Sequence, residues 1–236
     1  MPPPADLGGR LLALRERIAA AAAVVGRTPS EVQLLAVTKG QPLEVVRAAV
    51  AAGLNELGEN YVQECGEKAA QLGPATGVRW HLIGHLQRNK ARRAAQLFQM
   101  VESVDSAELA AQLAATVPTP GPPLPVLLEV ELTGLPTRSG IRERELLPVA
   151  EAVARLPGLR LFGLMTVASQ ERPEREFSRC RELRDRLQGE LGTELPVLSM
   201  GMSSDFEAAI REGSTEVRIG TLLLGPRPGP PSGNVG

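Results

Sequence analysis

The chain has 236 residues, of which 43% are hydrophobic, so it can bury a core as one large domain or two small ones. Its 26 lysines and arginines nearly balance 27 acidic residues, giving a formal charge of −1, and only 3% of residues are aromatic. These values argue against a nucleic-acid or anionic-membrane partner. Two cysteines cannot build a disulfide framework, so we expect a cytoplasmic protein in a reducing compartment.

Residues 1–30 form an N-terminal segment with helical periodicity. Apolar side chains recur there at spacings of three and four: Leu7, Leu11, Leu14, Ile18, Ala22 and Val25. This pattern predicts an amphipathic helix that packs on the following domain. Its most apolar stretch, residues 18–25, is too short to span a bilayer, and we expect no membrane segment.

Residues 31–225 alternate between strand and helix patterns. The strand candidates are Leu34–Thr38, Leu54–Gly58, Arg79–Ile83, Met100–Val104, Val126–Leu132, Leu161–Val167, Val197–Met200 and Glu216–Gly220. The helical patterns are Leu43–Ala52, Val62–Leu72, Asn89–Leu97, Ala107–Ala115, Glu143–Leu156, Glu174–Leu191 and Phe206–Glu212. Eight such strands can close a parallel barrel. A doubly wound open sheet is the alternative, but no Gly-x-Gly-x-x-Gly follows the first strand.

We therefore predict an α/β fold: a single (β/α)8 TIM barrel with an extra N-terminal helix and no second β domain. The last segment, residues 226–236, is rich in proline and glycine and lacks apolar periodicity, which predicts a flexible tail.

Lysine is scarce, since only three of the 26 cationic residues are lysines: Lys39, Lys68 and Lys90. Lys39 ends the first predicted strand, and functional side chains in barrels sit at the carboxyl ends of strands. Burial at the rim would lower the pKa of this amine and expose a neutral nucleophile toward aldehydes. A structural ion pair with a neighbouring carboxylate is the alternative interpretation.

The next two strand ends carry Asn60 and His81. Asn60 could bond a ligand hydroxyl, although helix capping alone would explain it. His81 and His85 have the i, i+4 spacing of metal ligands, but that spacing works on a helix, and here Gly84 and a strand end intervene. We predict no metal site, and a His81 that is either satisfied internally or faces a ligand.

The segment from Ser199 to Glu207 leads from the seventh predicted strand into a helix. Ser204 and Glu207 have capping-box spacing, and Gly201 allows a tight turn. Backbone amides at such a turn can converge on an anion. This segment is therefore a candidate phosphate-binding loop.

The eighth strand places Arg218 between two apolar residues. If those residues face the surrounding helices, Arg218 points toward the barrel mouth, where a guanidinium is costly unless it meets an anion. Gly220 and Thr221 add a backbone amide and a hydroxyl. Phosphate sites formed by the loops after strands seven and eight recur in this fold, whereas a helix cap and an Arg–Glu pair would explain these features only separately.

An amine on the first strand thus faces a candidate phosphate site on the last two. A ligand with both an aldehyde and a phosphate satisfies both ends. Pyridoxal 5′-phosphate (PLP) is one such ligand, and a sugar phosphate that forms a Schiff base is the other.

Ordered motifs resemble those of the pyridoxal phosphate homeostasis proteins, a family related to the barrel domain of alanine racemase. The match runs from about residue 34 to residue 227. The motifs are Leu-Leu-Ala-Val-Thr-Lys (34–39), Gly-Glu-Asn-Tyr-Val-Gln-Glu (58–64), Trp-His-Leu-Ile-Gly-x-Leu-Gln-x-Asn-Lys (80–90), Gly-Leu-Met-Thr (163–166), Ser-Met-Gly-Met-Ser-Ser-Asp-Phe-Glu-Ala-Ala-Ile (199–210) and Val-Arg-Ile-Gly-Thr (217–221). Their number and order argue against chance.

The resemblance implies a fold type III barrel that holds PLP as a Schiff base on Lys39. It places the remaining cofactor contacts at Asn60, His81, Ser199, Ser203, Arg218, Gly220 and Thr221. Of these, Ser203, Gly220 and Thr221 would hold the phosphate, while Arg218 could serve the phosphate, the pyridine nitrogen or both.

The resemblance also implies a role in intracellular vitamin B6 homeostasis, as a carrier or regulator without turnover, with PLP-dependent apoenzymes as candidate partners. The alternative is an amino-acid racemase of the alanine racemase type. Alanine racemases supply a lysine on one face of the cofactor and a tyrosine from a second domain or subunit on the other, whereas this chain has one tyrosine, Tyr61. A single domain with a nearly neutral charge favours a monomer.

Overall fold

Nine strands are present in this computed structural model, which describes residues 6–118, 120–135 and 138–227. They are β1 Gln33–Val37, β2 Glu56–Glu59, β3 Arg79–Leu82, β4 Met100–Val104, β5 Leu124–Glu131, β6 Ile141–Arg142, β7 Leu159–Thr166, β8 Val197–Ser199 and β9 Glu216–Ile219. Eight of them pair in parallel in the ring order β1-β2-β3-β4-β5-β7-β8-β9, and β9 pairs back with β1. The predicted closed barrel of eight strands is therefore confirmed.

Helices follow the strands around the outside of the barrel. They are α1 Leu7–Val24, α2 Leu43–Ala51, α3 Val62–Leu72, α4 Ala91–Leu97, α5 Ala107–Ala114, α6 Glu143–Ala154, α7 Pro173–Leu191, α8 Phe206–Arg211 and α9 Thr221–Leu224. The two-residue strand β6, which extends the edge of β5, and the single turn α9 were not predicted. Within the described part of the chain, no helix combines the length and the hydrophobicity needed to cross a membrane.

The barrel strands have two faces with different chemistry. Their outward residues join the main apolar core beneath the helices, as Leu57, Leu82 and Val217 do. The interior is divided: a small apolar cluster formed by Met100, Leu127 and Met165 occupies one side, and polar side chains occupy the other. Because side chains alternate along a strand, an apolar strand can carry a charged residue every second position without losing its outer packing.

Helix α1 packs on α8 and α9, as its amphipathic pattern predicts. Its buried residues are Leu7, Leu11, Leu14, Ile18, Ala21 and Ala22, whereas Val25 follows the helix and is exposed. Arg17 pairs with Glu207 at 2.8 Å and stacks over the ring of Phe206, 4.7 Å from its centroid. These contacts fix α1 over the helix that follows β8. At the other end of the chain, Pro226 and Arg227 are described, and the remainder of the predicted flexible tail lies outside the described residues.

Candidate functional site

Lys39 lies in the turn after β1, on the face that points into the barrel. It follows Leu35 and Val37 at alternating positions, and Leu35 pairs in register with the interior residue Arg218. The Lys39 side chain is half-buried, and no other described residue accepts a hydrogen bond from its Nζ. Burial, followed by the positive charges of Arg227 and Arg218, lowers the pKa of this amine. Lys39 is therefore more readily deprotonated, and more nucleophilic at neutral pH, than a free lysine.

Arg218 lies inside the barrel, with only 4% of its surface exposed. Its Nη1 donates to the carbonyl oxygen of Ser199 at 2.6 Å and to Ser199 Oγ at 2.7 Å, and its Nη2 donates to the carbonyl oxygen of Thr166 at 2.7 Å. Since Thr166 is on β7, two strands away from β9, the guanidinium reaches across the interior. No described carboxylate pairs with it directly, so its charge remains available to an anion at the mouth.

A chain of hydrogen bonds continues from Ser199 through the interior. Ser199 Oγ donates to Glu102 Oε2 at 2.6 Å, and Glu102 Oε1 lies 2.7 Å from His81 Nδ1. His81 Nε2 lies 2.8 Å from Glu56 Oε2, and Glu56 opens toward the amino end of the barrel. Because both ring nitrogens of the buried His81 already contact carboxylates, His81 has none free for a ligand. The structure places His81 and Ser199 in a buried layer that supports Arg218, and their role as cofactor contacts stays a prediction.

The ionisation of this interior chain follows from its contacts. Burial alone would lower the pKa of His81, but hydrogen bonds to Glu102 and Glu56 outweigh it and raise that pKa to about 10. Burial alone would raise the pKa of Glu102, but the hydrogen bond to His81 and the nearby positive charges outweigh it and lower that pKa. Burial and the charge of Glu102 raise the pKa of Glu216 to about 8. At neutral pH the interior therefore holds an imidazolium–carboxylate pair beside a protonated Glu216.

Glu216 gives the fold a specific pH dependence. Its native pKa lies above the ordinary value of 4.5, so its contribution to stability is complete below pH 4.5 and is lost as pH rises through about 8. Glu216→Gln cannot ionise and should lose less stability, by roughly 1–3 kcal/mol, between about pH 5 and about pH 9. Thermal unfolding of both proteins across this range checks the prediction. Parallel pH profiles would show that Glu216 is not protonated in the native interior.

The loop after β8 presents free backbone amides. Gly201 has φ +95°, and a Cβ there would lie 2.6 Å from Ala209 Cβ, so glycine is needed for this close turn. Ser203 and Ser204 donate no backbone hydrogen bond to any described residue.

The predicted Ser204–Glu207 capping box is absent. Asp205 is the residue before α8, and its Oδ1 accepts from the Met202 amide at 2.6 Å. Glu207 instead pairs with Arg17 of α1.

The loop after β9 lies beside the Lys39 turn. A Cβ on Gly220 would lie 3.5 Å from Val37 Cβ, at the end of β1. The amides of Gly220 and Thr221 donate to no described acceptor, and Thr221 is exposed. Arg227 contributes a further positive charge, because a Cβ on Gly40 would lie 3.0 Å from Arg227 Cδ. Unpartnered amides and positive charges thus meet next to an amine, which is the donor set for an anionic, aldehyde-bearing ligand.

Asn60 occupies the equivalent position after β2. Val37 pairs with Gly58, so Lys39 and Asn60 leave the barrel at the same level. Gly84 packs directly on Asn60, since a Cβ there would lie 2.5 Å from the Asn60 carbonyl oxygen. The Oδ1 atom of Asn60 is buried and has no hydrogen-bond partner among the described residues. A buried acceptor of this kind suits a ligand hydroxyl better than helix capping.

A concavity of about 1230 Å³ lies between the loops after β5 and β7. It is lined by arginines and glutamates in similar numbers, and several of them are paired: Arg179 contacts Glu143 and, at 2.6 Å, Glu182. Because its charges offset one another and it holds no lysine, it lacks the chemistry of the Lys39 mouth. The mouth around Lys39 is therefore the candidate functional site.

The structure brings the predicted residues together in two layers. Lys39, Asn60, Gly220 and the loop containing Ser203 lie at the mouth, while a buried layer below them contains His81, Ser199 and Arg218. Sequence reasoning missed Glu56, Glu102 and Glu216 in that lower layer. A signal was present, because Glu216 precedes Arg218 by two residues on an apolar strand and must share its face.

Comparisons with known proteins identify the family. Residues 10–228 match the family model for the N-terminal domain of alanine racemase. A pyridoxal phosphate homeostasis protein from Pseudomonas aeruginosa is 47% identical over 89% of this chain and 91% of its own. The homologue of the same name from Escherichia coli is 42% identical over 94% of this chain and 97% of its own.

Solved structures show the same fold. PipY from Synechococcus elongatus, determined with PLP bound, is 36% identical, with a TM-score of 0.82 over 93% of this chain and all of its own. Alanine racemase from Corynebacterium glutamicum shares the fold at 21% identity, with a TM-score of 0.65, over 93% of this chain but only 62% of its own. By full-length similarity in sequence and structure, this chain belongs to the family of pyridoxal phosphate homeostasis proteins.

Proposed function

We propose that this chain binds PLP through the amine of Lys39 and acts in PLP homeostasis as a carrier or regulator. The observation that carries the proposal is the state of the three lysines. Lys68 is buried and bonded to three acceptors, Lys90 is exposed on the outer surface, and Lys39 alone combines partial burial, no described partner and a lowered pKa. That combination is what covalent capture of an aldehyde requires.

The residues at the mouth fit the cofactor. When bound, PLP supplies three groups: a phosphate dianion, a ring hydroxyl, and an aldehyde that condenses with an amine. Ser203, Gly220 and Thr221 would bind the phosphate through the backbone amides that have no described acceptor. Asn60 Oδ1, a buried acceptor without a partner among the described residues, would accept a hydrogen bond from the ring hydroxyl. Lys39 would supply the amine.

Arg218 would provide the charge beneath the cofactor. It is held rigidly by Ser199 and Thr166, and Ser199 is in turn fixed by Glu102 and, through Glu102, by His81. Its position is therefore set before a ligand arrives, which reduces the entropy cost of binding. His81 and Ser199 contribute by holding this arrangement.

Arg218→Gln should weaken PLP affinity by roughly 1–3 kcal/mol, because it removes a charge-assisted interaction with the cofactor. Arg211→Gln is the matched control, since Arg211 is exposed on α8. Titration of each purified variant with PLP, followed by absorbance, measures the affinities. Equal affinities for wild type and the Arg218 variant would remove Arg218 from the binding site.

A carrier is favoured over a racemase by the groups around Lys39. Racemisation needs acid–base groups on both faces of the cofactor. The one tyrosine of this chain, Tyr61, is 64% exposed. Incubating the PLP-loaded protein with L-alanine in deuterated water tests this assignment. We expect no exchange of the α-hydrogen, and exchange at an enzymatic rate would establish the racemase alternative.

The remaining aspects of the proposal concern its cellular setting. Cys65 and Cys180 are both free and buried, which suits the reducing cytoplasm. We propose that the protein acts there as a monomer and that PLP-dependent apoenzymes receive its cofactor. Light scattering of the purified protein tests the first point, and transfer of PLP to an apo-aminotransferase tests the second.

A further inference from the structure

The turn that carries Lys39 is held by an ionic cluster formed by Lys68 and Glu64 of α3 and Glu59 of β2. Lys68 Nζ donates three hydrogen bonds, each of 2.7 Å, to Thr38 O, Glu59 Oε1 and Glu64 Oε1. An ammonium group has three donors, so every donor of Lys68 is used. Lys68 has no capacity left for a ligand, and its function must lie in these three contacts.

Two of the contacts bracket Lys39. The carbonyl of Thr38, which accepts from Lys68, belongs to the peptide unit immediately before Lys39. The amide of Gly40, immediately after Lys39, donates to Glu64 Oε1 at 2.6 Å, and that oxygen also accepts from Lys68. Both peptide units that flank Lys39 are therefore tied to one ion pair.

Glu59 completes the cluster at an energetic cost. Its Oε1 accepts from Lys68 and from Thr38 Oγ1, each at 2.7 Å, but its Oε2 is buried without a partner among the described residues. Replacing a buried ion pair by well-packed apolar residues is commonly neutral or stabilising, and an unpartnered buried oxygen adds to the cost. Stability alone does not explain this cluster, whereas fixing the adjacent turn does.

We propose that Lys68, together with Glu59 and Glu64, is a positioning group that holds the Lys39 amine in the orientation for covalent capture. This inference rests on the proposed function, because it takes Lys39 as the residue that reacts with PLP. Misplacing a reacting group by about 1 Å can slow a reaction about 100-fold, so a turn restrained on both sides would matter for the rate of capture. Loss of the cluster should have much less effect on affinity for the phosphate group, because the proposed phosphate contacts lie on the loops after β8 and β9.

The test separates capture from binding. Lys68→Met removes the ammonium and keeps the apolar stem, and Glu64→Ala removes the acceptor of the Gly40 amide at a partly exposed position. Glu67→Ala, on the exposed face of the same helix, is the matched control. We expect borohydride-trappable capture to slow at least about tenfold in both variants. Affinity for 4′-deoxypyridoxine 5′-phosphate, which lacks the aldehyde, should change by less than about twofold.

Hydrogen–deuterium exchange of the PLP-free protein gives an independent readout. The peptide containing Gly40 should exchange faster in Lys68→Met and Glu64→Ala than in wild type, and Glu67→Ala should match wild type. Lys68→Arg should restore part of the capture rate. Wild-type capture and exchange in both variants would overturn the inference, as would an equal loss of capture and analogue affinity. If wild type captures no PLP on Lys39, the proposed function fails and this inference fails with it, even where the exchange results show the restrained turn.

Discussion

Lys39→Ala should abolish borohydride-stable incorporation of PLP while leaving the barrel folded. The covalent bond requires an available amine at the mouth, and Lys39 is the one lysine that offers it, since Lys68 is fully bonded and Lys90 is on the outer surface. The side chain of Lys39 is only half-buried and has no described partner, so its loss removes little packing. The expected result is a loss of essentially all labelling with little change in the unfolding midpoint.

Two controls sharpen this prediction. Lys90→Ala removes a lysine of the same chemistry from an exposed position and should label like wild type. Affinity for 4′-deoxypyridoxine 5′-phosphate should survive in Lys39→Ala, because the amides of Ser203, Gly220 and Thr221 remain. Undiminished trapping in Lys39→Ala would refute Lys39 as the capturing residue. Loss of both activities with intact unfolding would indicate that Lys39 binds the phosphate instead.

Glu102→Leu should have the largest effect on stability, about 3–5 kcal/mol, because it breaks a buried ion pair from one side. The His81 imidazolium, with a pKa of about 10, would lose its closest carboxylate, and Ser199 Oγ would lose its acceptor. Arg218 would also lose the negative charge of Glu102, to which it is linked through Ser199. Urea unfolding at neutral pH measures the loss.

A matched control and a double variant test the cause of that loss. Glu108→Leu, at an exposed position on α5, should change stability by less than about 1 kcal/mol. Combining His81→Leu with Glu102→Leu should cost less than the sum of the two single changes, because the two groups interact directly. An additive double variant, or a loss below about 1 kcal/mol for Glu102→Leu, would show that no strong ion pair exists in the barrel.

The strands were predictable because short, mainly apolar runs alternate with helical patterns along the chain. Lys39 was predictable for a related reason, since it ends such a run and inherits the inward face of Leu35 and Val37. The burial of His81 between two carboxylates was not predictable from the sequence. It depends on β4 and β8 meeting across the interior, where Ser199 contacts Glu102 from 97 positions away along the chain. Contacts of this kind are set by barrel closure and register, which local patterns do not contain.

The failure of the Ser204–Glu207 capping box has the same origin. The spacing was correct, but Glu207 pairs with Arg17 of the N-terminal helix, and Asp205 takes over the turn by accepting from the Met202 amide. A contact between residues 17 and 207 thus overrides a local preference. Lys68 illustrates the converse. The scarcity of lysine was visible in the sequence, whereas the place of Lys68 beside the Lys39 turn depends on the packing of α3 against β2 and on its contact with Thr38.

The most direct test of the account is to load the wild-type protein with PLP, reduce it with borohydride and map the modified peptide by mass spectrometry. With three lysines at positions 39, 68 and 90, the outcome is unambiguous. The account predicts a visible absorption band before reduction and a pyridoxyl mass on the peptide that contains Lys39. A label on Lys68 or Lys90, or a colourless protein that takes up no label, would contradict it.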